Sequence, residues 1–123
     1  METIEVEGRL FKYERKNWKW EGYKEYRCVY IPDGRKKEAS ARLDVDPRGR
    51  VNTIVAACSP REARMNYKCV TPNGLAFDYG GSFANFRNLF DISIDDIKRS
   101  SRTRKALDSG WQFWRLNHAV FIP

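Results

Sequence analysis

Apolar and polar residues trade places one by one along much of this chain, and a repeat of two commits those stretches to extended strands with one buried face. Between Thr3 and Tyr13, Ile4, Val6 and Leu10 alternate with Glu5, Glu7 and Arg9, and Gly8 reads as a bulge in that strand. Tyr23 to Ile31 sets Tyr26, Cys28 and Tyr30 on one face before Pro32-Asp33-Gly34 turns the chain. Ala39, Ala41, Leu43 and Val45 then alternate with Ser40, Arg42 and Asp44, and Asp46-Pro47-Arg48-Gly49 returns the chain into a strand from Val51 to Cys58. A second hairpin, Tyr67 to Val70 and Leu75 to Tyr79, flanks Pro72-Asn73-Gly74. The alternation resumes from Trp111 to Ile122, with Trp114, Leu116, His118, Val120 and Ile122 on one face.

Helix signals fall between these strands. Ser59-Pro60-Arg61-Glu62 combines a capping serine, a proline in the first helical position and a Glu in the third, which starts a short helix. Phe83, Phe86, Leu89 and Phe90 recur at helical spacing after Ser82, and Ser93-Ile94-Asp95-Asp96 opens a longer helix that Gly110 can end. The expected fold is therefore α+β: an antiparallel sheet of about six strands, able to curl into a partial barrel, with two or three helices mainly in the second half. Residues 1–123 are read as a single globular domain, since 123 residues suffice for one core and not for two.

Composition narrows the setting. The longest apolar run, Ile54 to Cys58, is far short of the about 20 residues a membrane helix needs, and no membrane partner is expected. Glu2, Glu5, Glu7 and Glu14 near the start exclude a secretory or transit signal there. Cys28, Cys58 and Cys69 are odd in number and contain no C-x-x-C pair, which points to a reducing compartment: the cytoplasm, or the nucleus in a eukaryote.

A net charge of +7 suits an anionic partner, and cations are interleaved with aromatics at Phe11-Lys12-Tyr13, Trp18-Lys19-Trp20, Tyr23-Lys24, Tyr26-Arg27, Tyr67-Lys68, Phe86-Arg87 and Trp114-Arg115. Aromatic faces stack on bases while neighbouring cations follow phosphates, the pairing used by single-strand binders. In a strand, adjacent side chains point to opposite faces, so Tyr26-Arg27, Tyr67-Lys68 and Trp114-Arg115 are equally what a half-buried sheet displays. Trp18 and Trp20 fall in a loop, where burying both indoles is harder. From Lys98 to Lys105 five cations occur with no acid: Lys98, Arg99, Arg102, Arg104 and Lys105. On a continuous helix, Lys98, Arg102 and Lys105 form one stripe that can track a phosphate backbone. Arg35, Lys36 and Lys37 make a smaller cluster beyond a turn.

The leading functional expectation is thus a non-enzymatic nucleic-acid-binding domain, with DNA or RNA held by Lys98, Arg99, Arg102, Arg104, Lys105, Trp18, Lys19, Trp20, Arg35, Lys36 and Lys37. The alternative is a protein-binding adaptor or inhibitor whose aromatic and basic surface docks an acidic protein. A metal-dependent nuclease built on Asp44, Asp46 and Asp78 ranks third, because no nuclease motif surrounds them. The spacings of Cys28, Cys58, Cys69 and His118 do not suit zinc, and no metal or cofactor is expected. Gly80-Gly81-Ser82 lacks the lysine of a phosphate-binding loop and reads as a tight corner. No RNP1 string, zinc-finger spacing, G-x-S-x-G elbow or dinucleotide fingerprint occurs.

Overall fold

The computed structural model describes residues 2–56 and 66–116. Within them the chain forms β1 (Thr3–Val6), β2 (Arg9–Lys16), β3 (Lys24–Tyr30), β4 (Ala39–Val45), β5 (Val51–Ala56), β6 (Asn66–Val70), β7 (Ala76–Gly81), α1 (Phe83–Phe90), α2 (Ile94–Thr103) and β8 (Gln112–Arg115). The strands make one eight-stranded sheet in the order β1-β2-β3-β4-β5-β7-β6-β8. This corrects the expectation of about six strands, all antiparallel, that curl into a partial barrel. The sheet is mixed, because β5 and β7 run parallel, and it is open, with β1 and β8 as its edges. Two helices are present among the described residues; the short helix expected at Ser59, and the end of the last strand with His118, lie outside them.

The first discrepancy has a local cause. Glu7 and Gly8 both have positive φ, 45° and 82°, so the stretch expected as one bulged strand folds back as a two-residue hairpin turn. Val6 pairs with Arg9 and Ile4 with Phe11. That turn shifts the parity of β2: Phe11 joins Ile4 and Val6 on the core face, while Leu10 is left exposed. Arg9 lies on the core face too, and its guanidinium donates to the Leu89 and Asn88 carbonyls at the end of α1. A cation there satisfies helix-terminal acceptors and complements the helix dipole.

The parallel pair has a tertiary cause. Strand β7 returns from its hairpin with β6 and inserts between β6 and β5, so Ile54 faces Tyr79 on one side while Tyr79 faces Tyr67 on the other. Its last residue, Gly81, has φ 150°, and a Cβ there would overlap the Ala56 carbonyl oxygen and lie 2.6 Å from Tyr79 Oη. Tyr79 Oη donates to the Ser82 carbonyl at 2.9 Å, and Asn85 Nδ2 to the Ala56 carbonyl at 3.0 Å. The Gly80-Gly81 pair is thus the tight corner that lets α1 start against the sheet.

Both helices begin where their capping serines foretell: Ser82 accepts from Asn85 N and Ser93 from Asp96 N. Helix α1 lays Phe86, Leu89 and Phe90 on the core face, where Phe86 meets the rings of Tyr79, Phe90, Phe113 and Trp111 at 4.9 to 5.5 Å. Helix α2 stops at Thr103, well short of Gly110, because Arg104 turns left-handed at the cap. Beyond it, Ser100 Oγ donates to the Lys105 carbonyl at 2.7 Å and accepts from Phe113 N at 3.0 Å, tying the helix to edge strand β8.

Candidate nucleic-acid interface

The helices cover one face of the sheet, and the other carries charge. Pairing register places Arg15, Glu25, Asp44, Thr53, Asp78, Lys68 and Trp114 in one row across that outer face. Glu25 is only 2% exposed because arginines crowd it: Arg15 Nε at 3.2 Å, Arg42 Nε at 3.4 Å and Arg27 Nη2 at 3.9 Å. These cations are held in place by the carboxylate beneath them. At the far side of the row Lys68 Nζ bonds Asp78 Oδ1 at 2.9 Å.

Loop 17–23 joins β2 to β3 at one end of this face. Asn17 Oδ1 accepts from Lys19 N at 3.0 Å and Tyr23 N donates to the Trp20 carbonyl at 3.0 Å, so the loop is an ordered turn. Trp18 stands 80% exposed, with Lys19 Nζ 5.7 Å from its ring centroid, and Trp20 is 39% exposed. The same end of the sheet carries the 46–50 turn, since Lys24 at the start of β3 pairs with Val45 at the end of β4. Gly22 packs against Pro47 of that turn, and a Cβ on Gly22 would lie 2.6 Å from Pro47 Cγ. Arg48 and Arg50, both exposed, therefore stand beside the tryptophan loop.

Asp46, whose Oδ1 accepts from Arg48 N and Arg50 N at 2.9 Å, organises the turn. Its carboxyl is held below the usual range, chiefly by the bond from Arg50 N. Between loop and sheet lies a cavity of 160 Å³ lined by Trp20, Tyr23, Asp44, Asn52 and Thr53. Burial pushes the Asp44 carboxyl above its ordinary value, opposed by Arg42, by the Thr53 hydroxyl, which donates to Oδ2 at 2.9 Å, and more weakly by the nearby Asn17 amide.

The residues expected from the sequence fall in three places. Trp18, Lys19 and Trp20 share loop 17–23. Arg35, Lys36 and Lys37 are exposed in the loop from Ile31 to Glu38, at the opposite end of β3; there Asp33 bonds Arg87 of α1 at 2.8 Å. Lys98, Arg99, Arg102, Arg104 and Lys105 are all exposed on α2 and just beyond it, against β8, with β4, β5, β7 and β6 between them and β3. Lys105 lies past the helix end, so it does not continue the Lys98–Arg102 stripe, and Arg99 bonds Asp96 at 2.9 Å.

Two of the three strand pairs behave as half-buried strands do, with Tyr26 and Tyr67 buried, Arg27 exposed and Lys68 half-buried; in the third, Trp114 is half-buried on the outer face opposite Lys68, and exposed Arg115 pairs with Tyr67. Sequence reasoning reaches Tyr23 only as the neighbour of Lys24 in the basic-aromatic pattern and passes over Asn52, Thr53, Arg48 and Arg50 as site residues. The hairpin register alone sets Thr53 opposite Asp44. The fold-back of loop 17–23 over that pair has no counterpart in periodicity.

Asp44, Asp46 and Asp78 do not converge. Asp44 and Asp78 are separated by Thr53 and so by two strand spacings, about 10 Å, and Asp46 is spent on its turn. Among the described residues no group of three or more His, Cys, Asp and Glu is placed to hold a metal. Burial raises the thiols of Cys28 and Cys69 above their ordinary value, which suppresses the reactive thiolate; Cys58 and His118 lie outside the described residues. No helix among the described residues is long and apolar enough to cross a membrane. In comparisons with known proteins the chain matches no family model, no curated protein and no solved structure, so the functional argument stands on fold and site.

Proposed function

We propose that this protein is a non-enzymatic nucleic-acid-binding domain that holds a single strand at the end of the sheet where loop 17–23 meets the 46–50 turn, with the cations of α2 as a second phosphate contact. The observation that carries the reading is Trp18, 80% exposed with Lys19 over its ring on an ordered loop. An indole held in water and backed by a cation suits base stacking, and Arg48 and Arg50 beside it suit the phosphates on either side. A net charge of +7 favours polyanions over other partners. The alternative, a protein-binding adaptor or inhibitor for an acidic protein, draws support from Leu10, Val29 and Ile31, exposed apolar side chains around Lys12 and Arg27.

Salt dependence tests the proposal. Binding of single-stranded oligonucleotides measured at several salt concentrations should show log K falling with log salt at a slope near −2.8 if about four phosphates are neutralised. Lys98→Ala, Arg102→Ala and Lys105→Ala combined should flatten that slope while stability stays within about 0.5 kcal/mol of the parent, because all three are exposed. Wild-type slope and affinity in the triple variant remove α2 from the interface, and absence of binding to any nucleic acid, with a stoichiometric acidic protein recovered instead, replaces the reading with the adaptor.

A further inference from the structure

Across the outer face of the sheet three cations stand directly opposite one another on neighbouring strands. Lys12 of β2 pairs with Arg27 of β3, and Arg27 with Arg42 of β4. Like charges placed opposite one another destabilise a sheet, so such a row needs anions to hold it. On the side toward loop 17–23 it has two. Arg42 lies 3.4 Å from Glu25 Oε1 and 3.7 Å from Asp44 Oδ2, and Arg15 Nε bonds Glu25 Oε2 at 3.2 Å. Arg27 has the weakest share, its Nη2 standing 3.9 Å from that same Oε2, beyond hydrogen-bond distance. Lys12 has no carboxylate within ion-pair distance among the described residues. On the other side of the row, two residues farther from the loop along each strand, Leu10 and Val29 are exposed and apolar. Glu5, opposite Leu10 at the sheet edge, and Glu14, exposed at the bulge in β2, form no ion pair with these cations. Two carboxylates thus serve four cations, and the surplus charge falls on Arg27 and Lys12, both exposed.

We propose that this surplus is a phosphate track, in which Arg15, Arg27 and Lys12 hold successive phosphates of a single strand that leaves the Trp18 indole and runs along β2 and β3. The inference rests on the proposed single-strand binding and gives the strand its course away from loop 17–23. Continuity supports it: Arg15 stands at the loop end of β2, three residues before Trp18, and the Lys12–Arg27 pair follows farther along the same two strands. The cations are also ready-made. Arg15 spends only Nε on the buried Glu25 carboxylate, and the Arg15 and Arg27 side chains are 60% and 41% exposed around it. A guanidinium tethered by a carboxylate beneath it loses less freedom on binding, and its planar fork suits phosphate oxygens. A phosphodiester strand brings one charge per nucleotide, which fits cations strung out along two strands better than a compact anion does.

Fluorescence anisotropy with a labelled oligothymidylate, and with an abasic strand of equal length that keeps the phosphates and lacks the bases, separates track from stacking site. Lys12→Gln and Arg27→Gln combined should flatten the salt slope for both strands by about 1.4, the share of two phosphates. Lys36→Gln and Lys37→Gln combined, which remove the same charge at the opposite end of β3, should flatten it by less than about 0.7. Trp18→Ala should weaken the oligothymidylate and leave the abasic strand unchanged. In urea unfolding the Lys12→Gln, Arg27→Gln variant should keep or raise the parent midpoint, because opposed like charges are removed. An unchanged salt slope in that variant overturns the track, and if Trp18→Ala still weakens the oligothymidylate the nucleic-acid reading stands. Equal flattening by the two double variants also overturns the track, since it assigns the effect to net charge alone. Failure of the wild-type protein to bind either strand overturns both proposals. If the Lys12→Gln, Arg27→Gln variant does not fold, Lys12→Gln alone decides: its ammonium pairs with no carboxylate, and a slope flattened by about 0.7 upholds the track while an unchanged slope overturns it.

Discussion

Two groups of aromatic rings sit at different depths in this molecule. Around Phe86, the rings of Tyr79, Phe90, Trp111 and Phe113 are buried and meet one another edge-on, tilted or stacked. In loop 17–23, Trp18 and Trp20 stand out in solvent, with Tyr23 half-buried behind them. Both groups alternate with cations in the sequence, as Phe86-Arg87 and as Trp18-Lys19-Trp20. What separates them is the backbone. Helix α1 and strands β3 and β6 aim Phe86, Tyr26 and Tyr67 at the core and the cation beside each elsewhere, edge strand β8 leaves Trp114 half-buried on the outer face, and the loop gives its indoles no core to enter. A basic-aromatic pattern is therefore evidence of recognition only where no periodic element accounts for it.

The comparison breaks first on stability. Phe86→Ala should cost about 3–5 kcal/mol in urea unfolding, through lost burial and the cavity left behind, whereas Trp18→Ala should change stability by less than about 0.5 kcal/mol. A loss below about 1 kcal/mol for Phe86→Ala would mean that the ring cluster is not the centre of the core.

Alkaline pH probes the buried group in a second way. Tyr26 lies in the core, and its hydroxyl donates to Glu2 Oε1 at 2.6 Å. Burial, with that bond adding to it, pushes its pKa up to about 12. The unfolded chain ionises this tyrosine near 10, so the stability it contributes is complete below about pH 10 and is lost as pH rises from there through about 12. Denaturant midpoints across that range should fall for the parent and fall less for Tyr26→Phe. Equal slopes in the two proteins would show that the hydroxyl is not sheltered.

The exposed group is sharpened by the smallest and most specific effect. Trp18→Ala should weaken single-strand binding by about 1–3 kcal/mol with the salt slope unchanged, because stacking releases few counterions. A change in slope without a change at fixed low salt would assign the loop to phosphate contact instead.

Much of this architecture is readable residue by residue. The β4–β5 hairpin follows from Ala41, Leu43 and Val45 alternating into Asp46-Pro47-Arg48-Gly49, and the two helix starts follow from Ser82 and Ser93, because caps and turns are local chemistry. The hairpin at Glu7-Gly8 is hidden, since a two-residue turn leaves the linear alternation looking unbroken while it reverses which residues face inward. The end of α2 is hidden too, because Ser100, a residue with no conspicuous signal, bonds strand β8 and draws the chain out of the helix. At the site, Trp18 and Trp20 are visible as loop aromatics, but the cavity that Trp20 and Tyr23 share with Asp44, Asn52 and Thr53 is not. It depends on a loop folding back over a strand, which neither propensity nor spacing encodes.

The insertion of β7 between β5 and β6 bears on time as well as on shape. Closing the β6–β7 hairpin needs only the short turn at Thr71 to Leu75, whereas pairing Thr53 with Asp78 closes a far longer loop. The cheaper closure comes first, so β6 and β7 enter the sheet as a preformed unit whose exposed β7 edge then finds β5. Substitutions in the Pro72-Asn73-Gly74 turn accordingly slow refolding, while those in β8, which adds to β6 from the outside, chiefly speed unfolding. Stopped-flow chevrons of one variant of each kind separate the two arms, and the reverse assignment would mean that the sheet assembles from its outer edge.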